Sequence, residues 1–403
     1  MKGHGLCQAA PFSAASRKAA PQHAHKISCA PPANPGRHWR YYKGARVNRC
    51  SRRAWLPRCH SPGERCVNKP LPSLCCLLGL AVLSAAHAGP RPSYGPQLEG
   101  FDYPYPVTRH ALSSQGQSLS MAYMDVPPQG EANGRTALLL HGKNFCAATW
   151  EQTIAVLSER GFRVIAPDQI GFCRSSKPEG YQFSFAQLAN NTRQLLQALK
   201  VERATVIGHS MGGMLASRFA LNYPEQVEQL VLVNPIGLED WQAEGVPYAP
   251  IEQLYQAELK TDFASIKAYQ RKFYYNGQWK AEYDRPVEML AGLYAGEGRE
   301  IVAWNQAQTS DMVFTQPVIH EFARLQVPTL LLIGNQDRTA PGANRAPQAV
   351  AERLGNYPVL ARDAAQRIPQ ATLVTFAELG HSPQIEAPER FHRALLQGLE
   401  ARR

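Results

Sequence analysis

The residues most able to do chemistry in this 403-residue chain are Gly208-His209-Ser210-Met211-Gly212. Ala204-Thr205-Val206-Ile207 precedes them and reads as a short buried strand. Met214-Leu215-Ala216-Ser217-Arg218-Phe219-Ala220 follows and reads as a helix. A serine on a tight strand-to-helix turn between glycines has its hydroxyl pushed out above the sheet edge. A neighbouring histidine can then reach the hydroxyl while backbone N–H groups face the developing oxyanion. The chemistry this predicts is nucleophilic attack by Ser210 on a carbonyl carbon.

The elements that must position Ser210 alternate along the chain. His110–Ser114 and Ser118–Asp125 read as a strand pair around Gln115-Gly116. Thr136–His141 reads as a strand and Trp150–Arg160 as a helix. Arg163–Pro167 reads as a strand, and Ser184–Leu199 as a helix with Phe185, Leu188, Leu195, Leu196 and Leu199 near one face. Further strands are expected at Arg203–Gly208, Val227–Asn234, Thr329–Gly334 and Thr372–Phe376, with a closing helix at Pro388–Leu399. Strands alternating with helices of this length predict an α/β fold with a mostly parallel central sheet flanked by helices on both faces. The stretch from Gly342 to Gln366 is longer than most connections and carries no clear pattern.

Residues 237–315 break this rhythm. They read as helical and hold 13 of the chain's 36 aromatic residues. That density predicts an inserted helical cap over the strand ends, most rings forming its own core and the remainder lining an apolar substrate pocket. Residues 89–236 and 316–403 would form the catalytic core.

The formal net charge of +11 is misleading, because residues 1–88 contain 14 Lys/Arg and one acid, Glu64. The remainder has 29 basic and 31 acidic residues, which removes the case for a nucleic-acid partner or an anionic membrane surface. Leu71–Ala86 is apolar and uncharged, and Ala86-His87-Ala88 follows as a small-x-small cleavage pattern. Sixteen residues is short for a membrane span, so 67–88 is expected to be a signal peptide cleaved after Ala88, not a stable anchor. The mature chain would then be periplasmic or secreted. Residues 1–66 are expected to be untranslated, with Val67 as the start, or to be the first part of a two-part targeting leader.

Seven of nine cysteines lie in the leader, leaving Cys146 and Cys173. They follow consecutive expected strands, in loops side by side at the C-terminal edge of a parallel sheet. A disulfide at the site rim and two unpaired small side chains both fit this placement.

From residue 111 to 400 the chain resembles the α/β-hydrolase superfamily, serine type with a helical cap. His141-Gly142-Lys143 ends a strand, as the family's oxyanion-loop motif does. Asp168-Gln169-Ile170-Gly171-Phe172-Cys173-Arg174-Ser175-Ser176 resembles the loop after the next strand. The serine turn follows, then Asp337 after Thr329–Gly334, then Gly380-His381-Ser382-Pro383 after the last strand, in the family's order Ser, Asp, His. The resemblance implies Ser210 as nucleophile, His381 as general base and acid, and Asp337 as the group orienting the imidazole. Asp240, after the strand ending at Asn234, is the alternative acid. The oxyanion donors implied are the backbone N–H groups of Met211 and of Lys143 or Asn144. His141 is expected to brace the oxyanion loop and His209 to be structural. Arg338 and Lys143 are read first as solvated surface charges, with an acidic substrate group as the alternative.

No His/Cys cluster has metal-ligand spacing and no Gly-rich phosphate loop occurs, so neither metal nor cofactor is expected. The favoured activity is hydrolysis of an ester of a small to medium apolar acid through an acyl-enzyme. The same triad resembles those of carbon–carbon hydrolases, lactonases and cofactor-free peroxidases. A non-catalytic ligand-binding protein on this fold is the alternative of a different class. The expected partner is a small molecule; these patterns set no oligomeric state.

Overall fold

The computed structural model describes residues 91–401. The expectations for 1–66, for the signal peptide at 67–88 and for cleavage after Ala88 lie outside the described residues. No described helix is long and apolar enough to cross a membrane.

Eight strands form one sheet: β1 (Val107–Ser114), β2 (Gln117–Val126), β3 (Thr136–Leu140), β4 (Arg163–Pro167), β5 (Ala204–His209), β6 (Val227–Val233), β7 (Thr329–Gly334) and β8 (Ala371–Phe376). Their order is β1-β2-β4-β3-β5-β6-β7-β8. β1 and β2 pair antiparallel, as do β2 and β4, and all other neighbours are parallel. The first hairpin turns on Gln115 and Gly116, both at positive φ (53° and 72°), which suits the right-handed twist of the flanking strands. The central strands are largely apolar because both faces are covered, unlike a half-exposed strand, which alternates; in β6 the polar Glu228 and Gln229 stand near its start.

The helices in chain order are α1 (Glu151–Glu159), α2 (Phe185–Ala198), α3 (Met211–Asn222), α4 (Ile251–Glu258), α5 (Phe263–Phe273), α6 (Asp284–Ala295), α7 (Arg299–Thr315), α8 (Gln348–Ala351), α9 (Tyr357–Arg367), α10 (Pro383–Glu386) and α11 (Pro388–Glu400). Successive strand residues point to opposite faces and so feed two cores. Leu139, Ile207 and Val231 join Ile154 and Leu157 of α1 and Phe391, Leu395 and Leu399 of α11. Leu138, Val206 and Leu230 join Leu188 and Leu195 of α2 and Leu215 and Phe219 of α3. Each buried leucine or phenylalanine stabilises the fold by roughly 1.5–3 kcal/mol.

From β3 the chain crosses to β4 on one side and later returns to β5 on the other. The strand order therefore reverses between β3 and β5, where the loops at their C-terminal ends diverge and leave a crevice. The chain between β6 and β7 carries α4 to α7 and no strand. Its first part, residues 237–250, is irregular where the sequence reads as helical. The unpatterned stretch after Gly342 contains α8 and α9. α9 buries Tyr357, Ala361 and Ala364 at i, i+4 and i+7, a helical stripe too small in side-chain volume to stand out.

Candidate active site

Ser210 stands between β5 and α3 at φ 57°, ψ −122°, a strained conformation for a residue with a side chain. The neighbouring backbone leaves no slack. A Cβ at Gly212 would come within 2.1 Å of the Leu140 carbonyl oxygen, so glycine there lets α3 start against the end of β3. β3 and β5 pair in register, Leu140 beside Gly208, and this places the loop after β3 next to Ser210. That loop turns with the Phe145 N–H donating to the Gly142 carbonyl at 3.2 Å, leaving Lys143 and Asn144 as its central residues. Met211 opens α3, where backbone N–H groups lack partners within the helix.

His381 and Asp337 meet from the loops after β8 and β7. His381 Nδ1 donates to Asp337 Oδ2 at 2.5 Å, and both side chains are fully buried. The other Asp337 oxygen accepts from the Thr339 N–H at 2.8 Å, and Asn234 Nδ2 donates to Oδ2 at 3.0 Å. Three donors converge on this carboxylate, and its contact with Nδ1 fixes the imidazole tautomer. His381 Nε2 is then the acceptor nitrogen, and it is buried without a hydrogen-bond partner.

Asn234 was not singled out by sequence. It follows β6 directly, at φ 35°, and its Oδ1 accepts from the Gly334 N–H at 2.8 Å. Asp240 lies elsewhere, accepting from His320 Nε2 at 2.8 Å and from the N–H groups of Gln242 and Ala243. The acid that faces His381 is thus Asp337.

His141 and His209 are neutral braces. His141 Nε2 accepts from the Gln169 N–H at 3.0 Å, so Nδ1 carries the proton and donates to the Gly142 carbonyl. His209 Nε2 donates to the His381 carbonyl at 2.8 Å. Burial lowers the pKa of both, His209 well below the ordinary range. Glu386, also unremarked in the sequence, accepts from the N–H groups of Gly380 and Ser382, one on each side of His381.

Lys143 is held by an ion pair, which corrects the expectation of a solvated charge there, whereas Arg338 is exposed at the surface. Lys143 Nζ pairs with Glu258 Oε1 at 2.9 Å, and Tyr294 donates its hydroxyl to Glu258 Oε2 at 2.5 Å. Arg338 Nη1 donates to the main-chain carbonyls of Asn335, Asp337 and Gly355.

Cys146 and Cys173 are joined by a disulfide, with Cα atoms 5.9 Å apart. Asp168 ties the same two loops together, accepting from the N–H groups of Ala147 and Arg174 and from the Tyr103 hydroxyl. Among the described residues this trio of Cys146, Asp168 and Cys173 is the single close cluster of metal-ligand types. Its two sulfurs are bonded to each other, which leaves no thiolate for an ion.

A cavity of about 340 Å³ opens above Ser210. Ser210, Lys143 and Asn144 line its floor side, and Leu254, Ile266, Leu290, Val313 and Phe314 supply apolar walls from the chain between β6 and β7. Of the thirteen aromatic residues at 237–315, Tyr248, Tyr269, Tyr274, Tyr294 and Phe314 face this cavity. Others pack among themselves, as Tyr275 and Tyr283 do with ring centroids 3.9 Å apart. This size and apolar lining suit a small organic ligand.

With this sheet, this turn and this cavity, the comparison with known proteins is direct. The family model for the alpha/beta hydrolase fold matches residues 138–388, and the chain belongs to that family. A crystal structure of a probable hydrolytic enzyme from Pseudomonas aeruginosa PAO1 is 63% identical, covering 77% of this chain and 99% of that one, with a TM-score of 0.76. A 2-hydroxy-6-oxo-6-phenylhexa-2,4-dienoate hydrolase from Comamonas testosteroni is 24% identical over 67% of this chain and 89% of its own length. An uncharacterised protein of Mycobacterium tuberculosis is 42% identical over 106 residues, and the match spans only 30% of that relative's length. The chain is therefore a hydrolase by family.

Proposed function

We propose that this hydrolase cleaves an ester of a small to medium apolar acid through an acyl-enzyme on Ser210. The observation that carries the reading is the buried His381–Asp337 pair at 2.5 Å, whose free Nε2 has no protein partner. His381 takes the Ser210 proton as Oγ attacks the carbonyl carbon, then donates it to the departing alcohol. Asp337 holds the imidazole and stabilises its protonated form. The N–H groups of Met211 and of Lys143 or Asn144 receive the oxyanion, each contributing about 3 kcal/mol of transition-state stabilisation. The helices between β6 and β7 act as a cap whose apolar walls accommodate the acyl group. Water then resolves the acyl-enzyme by the same acid–base exchange.

A second reading is carbon–carbon bond hydrolysis, which the similarity to the Comamonas testosteroni hydrolase favours. Export is part of the proposal: the cleavable pattern at Ala86-His87-Ala88 and the Cys146–Cys173 disulfide both suit an oxidising compartment.

Labelling with a fluorophosphonate tests the nucleophile without a known substrate. Adduct is expected on Ser210 and lost in Ser210→Ala and His381→Ala, with ester turnover reduced roughly 10⁴-fold or more. A folded wild-type protein that takes no label would overturn the reading in favour of a binding protein. A screen of ester chain lengths beside a dienoate ring-cleavage product then separates the two hydrolase readings.

A further inference from the structure

Tyr274 follows α5 in the cap, and three separate parts of it engage the site. Its main-chain carbonyl accepts from the His381 N–H at 2.9 Å. A Cβ at Gly380 would come within 1.9 Å of that carbonyl oxygen, so glycine is what lets the two backbones meet. Its ring packs on the His381 imidazole, centroids 4.3 Å apart and planes tilted by 32°. Its hydroxyl oxygen accepts from Asn144 Nδ2 at 2.8 Å, on the loop that follows β3.

An amide nitrogen only donates, so the contact with Asn144 leaves the phenolic proton unspent. No acceptor for that proton lies within hydrogen-bond distance among the described residues. His381 Nε2, an acceptor, is buried with no hydrogen-bond partner at all. Buried polar groups without partners are rare, so an unpartnered imidazole nitrogen, on a ring packed against a phenol that still has a proton to give, marks a place that a ligand completes. Tyr274 lines the cavity beside Ser210 and Asn144, on the side of the oxyanion loop. Burial holds its phenol well above the usual range, which keeps it a neutral donor.

We propose that Tyr274 is a further catalytic residue, its hydroxyl donating to the substrate carbonyl oxygen and to the oxyanion that forms there. The proposal rests on the ester-hydrolase reading and adds a donor supplied by the cap. Asn144 aims the hydroxyl through its side chain, whichever main-chain N–H of the loop also serves. As the Ser210 Oγ–C bond forms, the carbonyl π pair moves to oxygen and the serine proton passes to His381 Nε2. Tyr274 keeps its own proton and shares it with the oxyanion. When the pair returns, the C–O bond to the alcohol breaks and the alcohol leaves with the proton from His381. The core of the fold by itself would therefore lack one of the groups that stabilise the intermediate.

The test is Tyr274→Phe in the full chain, which keeps the ring and the main-chain contact and removes only the hydroxyl. On p-nitrophenyl butyrate, kcat is expected to fall roughly 10- to 100-fold with KM changed by less than about 3-fold. An alkyl trifluoromethyl ketone, which forms a tetrahedral oxyanion on serine, should lose affinity by a similar factor. Asn144→Ala should show part of the same loss, since the hydroxyl is no longer aimed. Wild-type kcat in Tyr274→Phe, or a loss confined to KM with the ketone bound equally well, overturns the assignment. If Tyr274→Phe does not fold, Asn144→Ala carries the test, and wild-type kcat there overturns it. A wild-type chain with no ester turnover removes the hydrolase reading and this role together. An active wild type with a dead Ser210→Ala and an unimpaired Tyr274→Phe removes only the role of Tyr274.

Discussion

Glu386 shows how one side chain couples the site to the stability of the molecule. Its carboxylate accepts main-chain N–H groups on both sides of His381, yet burial dominates and pushes its pKa up to about 7, with Asp337 adding to the rise and Lys280 opposing it. A folded-state pKa above the ordinary 4.5 means that the folded chain binds this proton more tightly than the unfolded chain. The associated stability is complete below about pH 4.5 and is lost as pH rises through about 7, a change of roughly 3 kcal/mol. Glu386→Gln is expected to flatten this part of the curve. Urea unfolding of both chains across that window is the measurement, and equal slopes would refute the assignment. His392, which burial holds down at about 4, titrates in both chains and cancels in the comparison.

At the scale of elements, the site is a meeting of loops that rigid strands hold in place. The disulfide links the loop after β3 to the loop after β4, closing a segment with a separation of 27 residues. A loop of that size restricts the unfolded chain enough to stabilise the fold by roughly 3–4 kcal/mol. Reduction, or Cys146→Ala with Cys173→Ala, is expected to lower Tm by roughly 5 °C, measured by calorimetry with and without a phosphine reductant. An unchanged Tm would show that the bond does not constrain the fold. The strands themselves were legible from their apolar runs, since burial on both faces leaves little room for polar residues. α9 was not, because alanines fill the narrow space against β7 and β8 and carry little hydrophobic signal.

At the scale of the whole molecule, charge and chemistry are segregated along the sequence. The basic stretch 1–88 ends at the Ala86-His87-Ala88 pattern, and the rest of the chain is nearly neutral. If 67–88 is an export signal, the native protein should have an intact mass that corresponds to a chain beginning at Gly89. A mass that retains the leader in the extracellular or periplasmic fraction would contradict that cleavage. The described residues form one sheet whose strand order reverses between β3 and β5, and the cavity sits at that reversal. The cavity walls come from the long run of helices between β6 and β7, so loop, nucleophile and walls arrive from distant parts of the chain.

The sequence by itself determined the order of the strands, the serine turn with Ser210, and His381, and it left Asp337 with Asp240 as the alternative acid. Those features are local: a strained turn needs glycines, and a buried strand needs an apolar run. Which residues meet was decided only by the tertiary structure. Choosing Asp337 over Asp240 required knowing that β7 and β8 lie side by side, which puts Asp337 against His381 and leaves Asp240 with His320. Lys143 looked solvated until α4 brought Glu258 to it, and Asn234, Glu386 and Tyr274 carried no local mark at all. Asn234, Lys143 and Tyr274 act through contacts across 103 to 130 residues, which exist only once the sheet has brought the loops together, and Glu386 acts on main-chain N–H groups, which no side-chain pattern reveals.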